Sequence, residues 1–342
     1  MKFPTFNLFQ PLIGVLLLFL VILYIFERKE DSNWLFNKAN DNKCKNHTSN
    51  IYDLPTECKI FNDSIKAMNY SLSNFKTCLF KNAEIYHKEE HMFLRHLQSC
   101  LDKHVPIEIR EFEAYDRKKN NFFSEKKWFL QLDKNFPQKQ CVWLTIGIGG
   151  ELAAEEQVFK NEYPECQIFG IEASEKSYGD FANVGTIIPH AVGVEEKNAS
   201  VMTIDCCKDG MKFIKKELRI RPLHKLLDEY VKSRIIHFAI FDIEGMENLL
   251  IDELVYGGKL YMEKIVFCQI DWELHFDKQY EGIGLKPNKI GTIINLINNS
   301  QYLPIIVSPN YKYHHLTLLN IKDPVCENAF KIQDRFVNRH IC

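Results

Sequence analysis

Two short runs hold residues whose types and spacing suit chemistry. Gly147-Ile148-Gly149-Gly150 closes the apolar run 141–147 and opens a helical stretch. Glycines there let backbone approach a ligand, and a helix N-terminus favours anionic or polar groups. Glu172 ends the next apolar run, 166–172, and lies 22 residues after Gly150. A carboxylate at that place in a Rossmann-like sheet can take both ribose hydroxyls of an adenosine cofactor. A tight turn alone would also explain the glycines. The order of strand, glycine turn, helix, strand and terminal acid favours a nucleoside site holding Gly147, Gly149, Gly150 and Glu172.

The second run is Asp242-Ile243-Glu244-Gly245-Met246-Glu247, which ends the most apolar segment, 235–244. Open α/β sheets bind ligands at carboxyl strand ends, so Asp242 and Glu244 should face the crevice of the glycine turn. Strand alternation would put both side chains on one side. Alternatively, Glu244 or Glu247 simply starts the next helix, where acids suit the dipole. A third strand end, Gln269-Ile270-Asp271-Trp272-Glu273-Leu274-His275, brings more polar groups to that rim. His275 could serve as a general base, or be a structural histidine. No metal ligand set is assigned, although these acids and the histidine could make metal as well as acceptor contacts. His87-Lys88-Glu89-Glu90-His91 fits an H-x-x-E-H zinc pattern but lies in a charged helical stretch with no third ligand evident. Cys206-Cys207 lacks the spaced pairs of a zinc site.

These residues need a scaffold, and the text from Cys141 onward supplies one. Strands are expected at 141–147, 166–172, 186–193, 200–205, 235–244 and 264–271, with helices at 151–163, 174–182, 222–232, from 247, and at 289–298. Runs 302–308 and 314–321 pair as a terminal hairpin, although Pro304 weakens the first. Such alternation calls for a mostly parallel sheet with helices on both faces.

The chain before Cys141 is different. Leu8 to Phe26 is apolar but for Gln10, and at about 1.5 Å per residue these residues match one hydrocarbon core. No small-x-small cleavage site follows, so 8–26 reads as an uncleaved signal anchor after a cytoplasmic tail, 1–7. Residues 27–55 are polar and read as a stem. Residues 56–130 read as a small helical region containing cysteines. Arg28, Lys29, Lys38 and Lys43 lie beyond the span, which by the positive-inside rule argues for a cytoplasmic bulk. Sequons at Asn46, Asn62, Asn69, Asn198 and Asn298, and Cys44, Cys58, Cys78 and Cys100 crowded together, argue for the lumen, and the reading sides with them. Four cysteines allow three pairings, which sequence cannot choose between.

Composition is ordinary: 342 residues, net charge −2 and 26% charged, which excludes a disordered chain and a polybasic nucleic-acid arm. Here the motifs carry a resemblance. LTIGIGG, Glu172, PHAVG (189–193), LHKLLDEY (223–230), FDIEGMENL (241–249) and FCQIDWELH (267–275) resemble the FkbM-like methyltransferase family over 141–321, with 322–342 left as a tail. The resemblance implies a fold similar to class I S-adenosylmethionine (SAM) methyltransferases: a seven-stranded, Rossmann-like, mostly parallel sheet ending in an antiparallel hairpin. It implies SAM as cofactor, held by Gly147, Gly149, Gly150 and Glu172; Asp242, Glu244 and His275 are the groups expected to make acceptor or metal contacts, a divalent metal being left open. Thr145 departs from the pattern, standing where the glycine motif commonly has an acid. Anchor and stem point to a type II protein of the Golgi or ER acting on a glycan or other secretory-pathway acceptor. A type II glycosyltransferase, holding a divalent metal with Asp242-Ile243-Glu244, and an inactive binding domain are the competing readings.

Overall fold

The computed structural model describes residues 59–60, 62–108, 112–116, 126–149, 153–205, 212–243, 245–275, 288–309 and 313–341. The anchor at 8–26, the stem, Asn46, Cys44, Cys58, Cys206, Cys207, Gly150 and Glu244 lie outside them. Among the described residues no helix is long and apolar enough to cross a membrane.

Helix α1 (Ser64–Tyr86) is started by the Asp63 carboxylate, which accepts the Lys66 N–H at 3.0 Å. Its buried row is Ala67, Ser71, Phe75, Leu79 and Ala83, a four-residue spacing that makes one stripe. Helix α2 (Glu90–His104) packs against it, and a disulfide joins Cys78 to Cys100 across the pair. The region expected to be helical to 130 then becomes a hairpin, β1 (Phe112–Asp116) with β2 (Lys126–Leu130). The HKEEH run also differs from expectation. It spans the break between the two helices, so its histidines are not one turn apart on a single helix.

The main sheet has seven strands: β3 (Val142–Ile146), β4 (Gln167–Ile171), β5 (Thr186–Ile188), β9 (Ile235–Phe241), β10 (Val266–His275), β11 (Tyr302–Pro309) and β12 (Tyr313–Asn320). Their spatial order is β11-β12-β10-β9-β3-β4-β5. The pairs from β5 to β10 are all parallel, and β12 alone runs against the rest. Pro304 fits because β11 is an edge strand with a register shift between Pro304 and Ile306. A separate three-stranded sheet has the order β6-β8-β7, formed by β6 (Ala191–Gly193), β7 (Lys197–Asp205) and β8 (Lys212–Pro222).

Helix α3 (Ala154–Glu162) joins β3 to β4, and α4 (Leu223–Leu226), widened into a π turn over Leu227–Val231, leads to β9. Short helices α5 (Glu247–Ile251) and α6 (Lys259–Met262) precede β10, and α7 (Lys289–Asn299) precedes β11. The segment 174–182 is two 3-10 turns instead of a helix, parted by Gly179 with φ +46°. The run 186–193 is broken at Pro189 into β5 and β6, which belong to different sheets. Residues 322–342 do not trail as a tail. They contain α8 (Pro324–Phe330), fastened to β10 by Cys268–Cys326, and Phe330, Ile332, Phe336 and Ile341 are buried.

A third disulfide, Cys141–Cys166, ties the start of β3 to the start of β4. The three bonds fit an oxidising, secretory or extracellular environment. The core is continuous from the helical pair to the sheet. Phe129 of β2 stacks edge-on with Trp143 at 5.2 Å and with Phe238 at 5.5 Å between ring centres.

Candidate functional site

The chain leaves β3 toward β4 and β5, then returns through β9 on the other side of β3. In open α/β sheets such a reversal marks the crevice outside the carboxyl strand ends where ligands bind, here at the ends of β3 and β9. Gly147 and Gly149 sit there with φ of +92° and +58°. Their reasons differ. A Cβ on Gly147 would stand 1.7 Å from the Asp242 carbonyl oxygen, so this glycine lets β3 and the end of β9 close on each other. A Cβ on Gly149 would meet nothing within 4 Å, so its backbone faces open space.

Glu172 directly follows β4, beside this turn. Its carboxylate accepts the Ser174 N–H at 2.7 Å and draws on the N–H groups of Gly149, Ala173 and Ile148. Burial raises its pKa, against the pull of those amides. Thr145, in the place where an acid is common, is buried. Its hydroxyl accepts the Trp143 indole N–H at 2.9 Å and donates to Glu156 Oε1 at 2.5 Å. A carboxyl group from α3 therefore meets β3 at Thr145, although β3 itself carries none.

Strand β9 stops at Phe241, so Asp242 lies in the turn that follows and the alternation argument does not extend to it. Asp242 is partly exposed. Strand β10 continues further and lays Gln269, Asp271, Glu273 and His275 on one face by alternation. All four are buried. His275 Nδ1 binds Glu247 Oε1 at 2.8 Å, while its Nε2 lies 3.4 Å from Glu273 Oε1 and 3.6 Å from Asp242 Oδ1. Deeper in, Lys127 Nζ donates to Glu273 Oε2 at 3.1 Å and lies 3.8 Å from Asp271 Oδ1, which also meets His315 Nδ1 at 3.0 Å.

This geometry changes the reading of His275. Burial opposes its charge, but the hydrogen bond and charge of Glu247, with the charges of Asp242 and Glu273, raise its pKa to about 10. At neutral pH it is an imidazolium without a lone pair to accept a proton, so it does not suit the general-base role expected for it. Glu247 does start helix α5, as one reading expected, and it also anchors the ring of His275.

The structure thus gathers Gly147, Gly149, Glu172, Asp242 and His275 at the carboxyl ends of β3, β4, β9 and β10, with Gly147 directly against the Asp242 backbone. Glu273, Glu247 and Lys127 were not singled out for the site by sequence. The alternating Gln269, Asp271, Glu273 and His275 were a legible signal for the first. Lys127 had none, because it comes from a segment read as helical. Comparison with family models, curated proteins and solved structures returns no match for this chain.

Proposed function

We propose that the chain is a SAM-dependent methyltransferase acting on a hydroxyl group. The observation that carries this reading is the strand reversal at β3/β9, with the glycine turn beside it and Glu172 directly after the adjacent strand. The strand order with one antiparallel strand inserted near the edge suits the class I-like plan that the FkbM resemblance implies. SAM supplies a sulfonium-activated methyl group, and the protein has to hold donor and acceptor in line. Gly149 offers open backbone for the cofactor, and Glu172 offers a carboxylate for ribose hydroxyls. Asp242, partly exposed in the turn after β9, would hold the acceptor's hydroxyl.

The disulfides, with exposed Asn62, Asn69 and Asn198 in sequons, support a lumenal placement behind the 8–26 anchor. A glycan or another secretory-pathway hydroxyl compound is the acceptor class that such a placement favours. Calorimetry with SAM and with sugar nucleotides tests the reading. SAM should bind in a one-to-one ratio, and Glu172→Gln should weaken it by about 10- to 150-fold, the cost of a lost charged hydrogen bond. Binding of a sugar nucleotide and not SAM would replace the methyltransferase with the glycosyltransferase.

A further inference from the structure

We propose that Asp242, Glu273 and His275 form a binding site for one divalent transition-metal cation, with Glu247 as its supporting carboxylate. One donor atom from each of the three residues lies within 4.8 Å of the others. His275 Nε2 stands 3.4 Å from Glu273 Oε1 and 3.6 Å from Asp242 Oδ1. Donors bound at about 2.0–2.2 Å to a tetrahedral or octahedral ion stand roughly 3.0–3.5 Å apart, so small inward movements seat an ion.

The surroundings of each donor select it for this task. His275 gives Nδ1–H to Glu247 at 2.8 Å, and Glu247 is held in turn by the Gly245 N–H at 2.7 Å. A carboxylate behind the far nitrogen is the usual support of a metal-bound imidazole, because it fixes the ring and raises its basicity. Glu273 is divided in the same sense. Its Oε2 takes the Lys127 ammonium, leaving Oε1 toward His275. Asp242 enters from the turn after β9 and is the only one of the three partly open to the crevice. The ion takes the place of the proton on Nε2 and keeps coordination positions on the crevice side for water or ligand.

The mixed set of one nitrogen and two carboxylate oxygens suits Mn²⁺ or Zn²⁺ better than Ca²⁺ or Mg²⁺, which favour all-oxygen shells. The site stands on these contacts alone. Its role rests on the proposed methyl transfer: a cation there would bind the acceptor hydroxyl and lower its pKa.

The test uses the whole protein and the metal alone, without SAM. After chelation and dialysis, titration with Mn²⁺, followed by the loss of free-ion electron paramagnetic resonance signal, should show one site per chain. Mg²⁺ at the same concentration should compete poorly. Asp242→Asn, which alters a partly exposed side chain, should weaken Mn²⁺ at least tenfold. Glu247→Gln keeps all three ligands and should still cost about 10- to 100-fold. Mn²⁺ should raise the melting temperature of the wild type and not of Asp242→Asn. No stoichiometric site for Mn²⁺ or Zn²⁺ up to millimolar concentration, or equal affinity in folded variants, overturns the proposal. If Asp242→Asn does not fold, Glu247→Gln and the wild-type titration decide it. If the protein binds Mn²⁺ but fails to bind SAM in calorimetry, the methyltransferase reading falls and the metal site stands. Binding of SAM without Mn²⁺ would do the reverse.

Discussion

Gly147 and Gly149 are two residues apart and look alike in sequence, yet they answer to different forces. Gly147→Ala drives a methyl group into the Asp242 carbonyl, and backbone on backbone has little room to yield. Gly149→Ala meets open space and bears only the left-handed strain of a non-glycine residue, about 1–2 kcal/mol. Thermal melts should therefore separate them, with Gly147→Ala losing clearly more stability. Similar melting temperatures would mean that the close contact with Asp242 is wrong. His237 gives a second residue-scale prediction. Its Nδ1 accepts the Val142 N–H at 3.2 Å, which requires a neutral ring, and burial lowers its pKa to about 4. Between that value and the ordinary 6.5 the unfolded chain binds a proton that the native state refuses. Stability from this ring is whole above about 6.5 and falls on acidification toward 4, by about 1.4 kcal/mol per pH unit. Urea unfolding from pH 7.5 to 4.5 should show a shallower acid loss in His237→Gln. Parallel curves for the two proteins would refute the assignment.

At the scale of elements, the apolar runs that became β3, β4, β9, β10 and the terminal hairpin were legible because burial on both faces leaves little choice of residue. What escaped had competing signals. Strand β8 carries Lys215, Glu217 and Arg219 exposed between Ile214, Lys216, Leu218 and Ile220, and its high charge hid the alternation. Residues 174–182 had helical spacing, but Gly179 in a positive-φ conformation stops a helix from propagating. The 322–342 segment holds Phe330, Ile332 and Phe336, and only Cys268–Cys326 reveals what they pack against. The site follows the same division. Gly147, Gly149, Glu172, Asp242 and His275 all end or follow strands and were found by that rule. Lys127 and Glu247 act through pairings 146 and 28 residues distant in sequence, which no local pattern encodes.

For the whole molecule, the helical pair and hairpin before Cys141 read as a region apart, but the contacts make them half of a shared core. Contacts join Pro55–Cys342 into one unit. Strand β2 lies over the polar face of β10. There the Gln269 side chain accepts the Leu130 N–H at 2.7 Å and donates to the Leu130 carbonyl at 2.9 Å, as a strand would. Phe129 fills the space between Trp143 and Phe238, and Lys127 offsets Asp271 and Glu273. Helix α2 guards the sheet's edge, where the Gln98 side-chain oxygen accepts the Val307 N–H at 2.6 Å. Breaking a buried ion pair costs about 3–5 kcal/mol, and losing a fully buried phenylalanine about 1.5–3 kcal/mol. These two losses alone are comparable with the roughly 5–15 kcal/mol by which domains are stable. A chain starting at Pro55 should therefore melt cooperatively in circular dichroism, with Cys78–Cys100, Cys141–Cys166 and Cys268–Cys326 formed. A chain starting at Gln131 should show no cooperative transition and should aggregate. If the shorter chain melts like the longer one, the segment before β3 is an ornament on a self-sufficient sheet, and Lys127 has no part in holding the β10 carboxylates in place.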